Sequence, residues 1–300
     1  MQKKHILETN QEAWPKQEET PQKEDRPPSK RELQLEEFET YLTIQNMSEN
    51  TIRSYRYAIR QFFQLYPELT YSNLQLYKLY LLEHYMPRTV NLRIHALNCF
   101  LHYTEWPDSP IMQVRIQQKA FLEHVISEAD YEYLKARLLS DEEYLYYFLV
   151  RFMASTGARV SEVIQFTVED VRNGFKDIYS KDNKIRRIYV PAALQKDAIQ
   201  WLRQIERLSG DIFLNPSGDR ISPGGIRRQL KKLAIRYNLD EKVVYPHSFR
   251  HRFAKNFIES CSDITLLSNL LGHESIETTR IYLRRSSSEQ KAIINQVVDW

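Results

Sequence analysis

Residues 247–254 read H-S-F-R-H-R-F-A and follow directly on Pro246. Proline suits the first turn of a helix, where its missing N–H would have had no partner. A helix that starts here places His247 and Arg250, three residues apart, on one face. His251 falls four residues after His247 and so lies near the same face. The stretch is helical and rich in groups that bind anions or carry protons.

Two further boxes flank it. Upstream, T-G-A-R-V-S-E (156–162) closes one helix at Thr156-Gly157 and opens the next at Arg159. Downstream, L-G-H-E-S-I-E-T-T-R-I-Y (271–282) ends a helix at Gly272 and runs through His273 to Tyr282. Between the first two boxes, residues 168–190 switch to short β-type segments, F-K-D-I-Y and R-R-I-Y-V, around the turn Lys181-Asp182-Asn183-Lys184.

Elsewhere the pattern is helical. Leu33, Leu35, Phe38, Tyr41 and Leu42 mark a first amphipathic helix. Ser48 is a natural N-cap for a second, with Ile52, Tyr55, Ala58, Ile59, Phe62 and Phe63 at helical spacing. A third spans about Ser72 to Tyr85, and a fourth follows Pro87. These form a compact four-helix domain over 31–105. Residues 1–30 are polar, proline-containing and without apolar periodicity, as in a flexible arm. Residues 106–126, with Trp106-Pro107 and Ser109-Pro110, are the linker candidate. Helical patterning resumes at Ser127, so a second, catalytic domain covers 127–300. Its last amphipathic helix, 287–300, carries Ile293, Val297 and Trp300 on one stripe. The expected fold class is mainly α with a small β-hairpin, an all-helical domain followed by an α+β domain.

Composition narrows the function. No apolar run reaches the roughly 18 residues of a membrane span, and M-Q-K-K-H-I-L-E-T-N lacks a signal-peptide core. Cys99 and Cys261 are far apart, which argues against a zinc site or a disulfide framework and fits a cytoplasmic protein. Net charge is only +3, so its distribution matters more than its total. Arg53, Arg56, Arg60, Arg88 and Arg93 mark the first domain, and Arg227, Arg228 and Lys231 the second. Each cluster reads as a solvated helix face or as a surface for nucleic-acid phosphates. Clusters in both domains favour the latter.

The boxes then suggest a chemistry. Arginine grips two non-bridging phosphate oxygens at once, which lysine does not. Two arginines from separate segments can neutralise the charge that builds on a five-coordinate phosphorus. A tyrosine hydroxyl, with a reference pKa near 10, needs cations and a proton acceptor to attack. The bland alternatives are a capping Arg159 paired with Glu162, one core histidine, and a packed tyrosine. A His247–His251 metal pair lacks a third ligand and the glutamate of H-E-x-x-H. No P-loop or dinucleotide fingerprint is present, and no cofactor is expected.

Taken together the boxes identify the chain as resembling the tyrosine recombinases of the phage integrase and Xer type, over about residues 31–300. H-S-F-R-H-R-F-A is similar to the family's H-x-L-R-H-x-F-A, with Phe249 where leucine is usual. L-G-H-E-S-I-E-T-T-R-I-Y is similar to L-G-H-x-S-x-x-T-T-x-x-Y. The resemblance implies a SAM-like core-binding domain and a catalytic domain that clamp opposite sides of a duplex. It implies Arg159 and Arg250 on the scissile phosphate, His247 and His273 assisting, and Tyr282 as nucleophile, forming a 3′-phosphotyrosyl bond. Lys181, in Y-S-K-D-N-K-I-R-R against a usual G-K-G-N-K-x-R, would protonate the leaving oxygen, with Lys184 as its rival. Implied partners are double-stranded DNA with inverted-repeat core sites and three further copies in a synaptic homotetramer. The free protein would be a monomer or weak dimer, the last helix would dock on a neighbour, and an accessory DNA-bending protein is compatible. Competing readings are a type IB topoisomerase-like relaxing enzyme, a catalytically inactive DNA-binding relative, and a metal-dependent nuclease.

Overall fold

The computed structural model describes residues 30–116, 124–179, 185–273, 275–283 and 294–298. The chain divides into two compact units, Met1–Gln118 and Lys119–Trp300.

The first unit is built from four helices, α1 (Lys30–Ile44), α2 (Glu49–Leu65), α3 (Tyr71–His84) and α4 (Pro87–Tyr103). Their ends are chemically specified. Ser48 and Thr70 accept the N–H groups of Thr51 and Asn73, capping α2 and α3, and Pro87 opens α4. Phe38, Phe62, Tyr77 and Phe100 are buried at the centre, with edge-to-face ring contacts between Phe38 and Phe100 and between Phe62 and Tyr77. Residues 106–114, expected to open the linker, instead lie along α4. Asn98 exchanges two hydrogen bonds with the backbone of Ile111, Asn91 does the same with Val114, and Ile111 is buried. A strap held by two asparagines and one apolar side chain leaves no periodicity in the sequence.

The second unit starts with α5 (Glu128–Ser140) and α6 (Tyr144–Thr156). A short α7 (Val160–Val163) and α8 (Val168–Asn173) lead into the antiparallel hairpin of β1 (Phe175–Tyr179) and β2 (Ile185–Tyr189). Phe175 pairs with Tyr189 and Tyr179 with Ile185. Residues 168–173 were expected to begin the β-type stretch and are helical. Thr167 and Asp170 form a reciprocal capping box, and Gly174 ends the turn in the left-handed region. The chain continues through α9 (Ala192–Gln204), α10 (Pro223–Arg236), α11 (Pro246–Ser260), α12 (Ile264–Leu271) and α13 (Ile276–Arg280), then a 3-10 turn at Ile281–Leu283. Of the expected terminal helix 287–300, residues 294–297 are helical, and Ile294, Val297 and Val298 are exposed. Among the described residues no helix is long and apolar enough to cross a membrane.

α11 runs through this unit against α6. Phe249 is fully buried and its ring meets that of Tyr131, so the larger side chain at the usual leucine position fills the core. Burying such a side chain contributes roughly 2–3 kcal/mol. α11 is thereby fixed as the platform from which His247, Arg250 and His251 project.

Candidate active site

Three helix ends converge on Arg250. Its side chain is 4 % exposed, projecting from the first turn of α11. Nη1 donates to the Gly157 carbonyl at 2.7 Å and Nη2 to the Leu271 carbonyl at 2.7 Å. One guanidinium therefore ties the C-terminus of α6 to the C-terminus of α12, where unpaired carbonyls favour a cation. Burial and the neighbouring Arg159 charge push its pKa down to about 10, so it stays cationic at neutral pH.

Arg159 follows Gly157, whose left-handed backbone (φ +64°) ends α6 and turns the chain into the site. The Arg159 N–H donates to Glu162 at 2.7 Å, Nη1 pairs with the same carboxylate at 3.0 Å, and Nη2 donates to the Gly272 carbonyl at 3.1 Å. The bland partner of Arg159, Glu162, is thus its real partner. Arg159 is nevertheless partly open to solvent, with the Arg250 and Arg159 guanidinia close enough to depress Arg250.

His273 follows Gly272, the left-handed cap of α12. Its Nε2 lies 3.0 Å from Arg250 Nη2 and its Nδ1 2.8 Å from Thr279 Oγ1. A guanidinium only donates, so Nε2 is the acceptor and the ring proton sits on Nδ1, donating to Thr279. Burial and the charges of Arg250, Arg159 and Arg186 push the His273 pKa down to about 4. The ring is neutral at pH 7.

Tyr282 is 5 % exposed and stacks nearly parallel to His273, with ring centroids 6.3 Å apart and planes at 13°. Its hydroxyl lies 3.0 Å from His251 Nδ1 and also interacts with Arg250. Burial raises the phenol pKa against the lowering influence of Arg250 and Arg159. His247, at the start of α11, is exposed; partial burial of its ring and the charges of Arg250, Arg227 and Arg159 lower its pKa.

The structure thus brings Arg159, Arg250, His273 and Tyr282 together, with His247 at the rim. Lys181 and Lys184 lie outside the described residues. Three further participants emerge. Arg186 of β2 pairs with Glu162 and donates to the Leu270 carbonyl at 2.7 Å. Thr279 is buried and fixes the His273 tautomer. His251 contacts the phenol. The sequence signals were Thr279 inside the third box and the helical spacing of His251 from His247, but the latter equally described a metal pair. Among the described residues no group of three or more His, Cys, Asp or Glu is placed to hold a metal ion.

The expected phosphate-facing arginines divide. Arg53, Arg60 and Arg88 in the first unit, and Arg227, Arg228 and Lys231 on α10 in the second, are exposed. Lys231 also pairs with Glu241 at 3.0 Å. Arg56 pairs with Glu39 at 2.7 Å. Arg93 is a correction. It is buried, its guanidinium 3.6 Å from the Tyr85 ring centroid and its Nη1 2.5 Å from Gln61 Oε1, and it does not face solvent.

The sequence profile of the phage integrase family matches residues 123–289. The chain is 27% identical over 269 residues to the tyrosine recombinase XerA of Pyrococcus furiosus, covering 87% of this chain and 93% of that protein. It is 30% identical over 285 residues to the tyrosine recombinase XerC of Herpetosiphon aurantiacus, covering 85% and 91%. Its fold is similar to that of the Tn1549 transposon integrase (residues 82–397) solved with circular intermediate DNA, at a TM-score of 0.66, 16% identity, and coverage of 88% and 99%. It is also similar to the XerH site-specific recombinase solved on its difH substrate, at 0.64, 18%, and 88% and 85%.

Proposed function

The chain belongs to the phage integrase family, and from that premise we propose that it is a site-specific DNA recombinase that cuts and rejoins strands through Tyr282. The carrying observation is the convergence of Arg250, Arg159, His273 and Tyr282 from separate segments onto one small volume. Two guanidinia beside a phenol are the groups needed to grip a phosphate and to attack it.

The side chains divide the work. Arg159 and Arg250 bind the non-bridging oxygens of the scissile phosphate, and their charge is already oriented before substrate arrives, so little reorganisation is needed. His273 is neutral and held in one tautomer, and with His247 it completes the phosphate contacts. Tyr282 Oη attacks phosphorus, the bond to the 5′-oxygen breaks, and Lys181 protonates that oxygen. The product is a 3′-phosphotyrosyl bond and a free 5′-hydroxyl. The energy of the phosphodiester is kept in that bond, so attack by a second 5′-hydroxyl rejoins the strand without a nucleotide cofactor.

On this reading the DNA carries inverted-repeat core sites, and strand exchange takes place in a homotetramer. The exposed apolar residues Ile294, Val297 and Val298 are the surface by which the C-terminal segment docks on a neighbouring copy.

The test is a nicked suicide substrate incubated with protein in EDTA. Wild type gives an SDS-resistant protein–DNA adduct, and Tyr282→Phe binds the same DNA without one. An adduct that needs magnesium, or one that survives Tyr282→Phe, overturns the proposal.

A further inference from the structure

A phenol gives up its proton as it attacks phosphorus, and a group already within hydrogen-bond reach of the oxygen in the free protein is poised to take it. Among the described residues, the side chains that meet Tyr282 Oη are His251, through Nδ1 at 3.0 Å, and Arg250. Arg250 is a donor only and cannot accept a proton. Among the described side chains His251 is therefore the acceptor in contact with the nucleophile. It sits on α11 one turn beyond His247, whose ring centroid is 6.4 Å away.

We propose that His251, rather than His247 or His273, is the catalytic base for Tyr282. The inference rests on the recombinase reading above. The lone pair of Oη forms the bond to phosphorus as its proton passes to His251 Nδ1. The pair of the breaking P–O bond leaves with the 5′-oxygen, which is protonated separately from the hairpin lysine. In rejoining, the 5′-hydroxyl attacks as its proton returns to that lysine, the Tyr282–phosphorus bond breaks, and His251 returns its proton to Oη. The ring thus starts each cycle with its proton on Nε2 and Nδ1 free.

His273 is excluded as base by its own hydrogen bonds. Its Nε2 is taken by Arg250, and its Nδ1 carries the ring proton toward Thr279. The groups that face His251 also explain why it waits for substrate. His247 and Arg250 lie on its own helix, Tyr282 on the 3-10 turn, and His273 after α12, while Tyr245 approaches the same phenol ahead of α11. Burial with His247 and Arg250 holds the ring neutral, with a pKa of about 4 in the free protein. A bound phosphodiester supplies negative charge to this cluster and moves the imidazole back toward its usual basicity.

The experiment is single-turnover adduct formation on a nicked suicide duplex between pH 5.5 and 9.5. Wild type is compared with His251→Asn, which keeps a hydrogen-bonding group near the Nδ1 position, and with His251→Gln. DNA binding and urea unfolding are measured beside it. The expected result is normal binding and a rate reduced by about 10²–10⁴-fold near pH 7, with the deficit shrinking as hydroxide takes over at high pH. A second substrate carries sulfur at the bridging 5′ position and needs no acid for its leaving group. The His251 deficit must persist on it, because the defect lies at the nucleophile. Rates within threefold of wild type across the pH range, or restoration by the sulfur substrate, would overturn the assignment. Failure of wild type itself to form an adduct on bound DNA counts against the recombinase reading instead.

Discussion

Glu162, in the first arginine box, forms an ion pair with Arg186 on β2. The same carboxylate holds Arg159 by backbone and side chain, and Arg186 reaches on to the Leu270 carbonyl before the third box. Strand β2 is thus fastened to both walls of the site by one arginine. Arg186→Met deletes that fastening and leaves a buried carboxylate with half its partners. Breaking a buried pair from one side costs about 3–5 kcal/mol, and the remaining Arg159 contact places this case near the lower end. Urea unfolding should show that loss. Adduct formation should fall further than folded population accounts for, since the Glu162 carboxylate that orients Arg159 loses its second partner.

Gly157 and Gly272 occupy left-handed backbone at the two helix ends that Arg250 and Arg159 grip. A Cβ at Gly157 would stand 2.4 Å from Phe253 Cδ1 and 3.0 Å from Leu271 Cδ2, inside a packed interior. Gly157→Ala combines backbone strain of about 1–2 kcal/mol with overpacking of about 1–3 kcal/mol, and a thermal melt should register both. A Cβ at Gly272 meets the Arg186 side chain at 2.6 Å, which can move. Gly272→Ala should therefore carry the same backbone strain together with loss of the Arg186–Glu162 pair, lowering both the melting temperature and cleavage.

Stability should depend on pH through the neutral histidines. His251 and His273 each titrate at about 4 in the folded protein, against about 6.5 in an unfolded chain. Between those values the unfolded chain binds protons that the folded one does not. The contribution is complete above about pH 6.5 and is lost as pH falls through 4. Urea midpoints at pH 7.5, 6.5, 5.5 and 4.5 should decline in that order. His251→Asn should flatten the decline, and a midpoint that rises on acidification would contradict the burial of both rings.

The boxes were legible because each pairs a helix terminus with a residue whose chemistry is rare there. Gly157 before Arg159, Pro246 before His247 and Gly272 before His273 are local signals, and the helices they bound are where periodicity placed them. The tertiary partners were not legible. Glu162 pairs with Arg159 across three residues, so it was visible, but its second partner Arg186 comes from a strand 24 residues on. His251 looked like half of a metal pair because spacing along a helix shows what shares a face, not what lies opposite. Residues 168–173 were included with the β-type segments F-K-D-I-Y and R-R-I-Y-V that follow them; the Thr167–Asp170 capping box makes them a helix. The role of Arg93 was hidden for a related reason. A charge on a helix reads as surface unless one knows that aromatic rings cover it.

Buried and exposed arginines separate by experiment. Arg93 spans from the Tyr85 ring to Gln61, and Gln61 in turn bonds the hydroxyls of Tyr85 and Tyr77, each at 2.8 Å. Arg93→Ala removes a cation from two aromatic faces, at 3.6 and 5.4 Å, and leaves a part-buried amide oxygen short of a donor. Its cost should be about 2–4 kcal/mol, read as earlier unfolding of the first unit, with the salt dependence of DNA binding by the folded protein unchanged. Arg227 and Arg228 are exposed on α10, with no such network among the described residues. Alanine at either should leave unfolding within about 0.5 kcal/mol of wild type. Each that touches a phosphate should lower the slope of log affinity against log salt by about 0.9. A melt that moves with Arg227→Ala, or a salt slope that moves with Arg93→Ala, would reverse this division between packing and recognition.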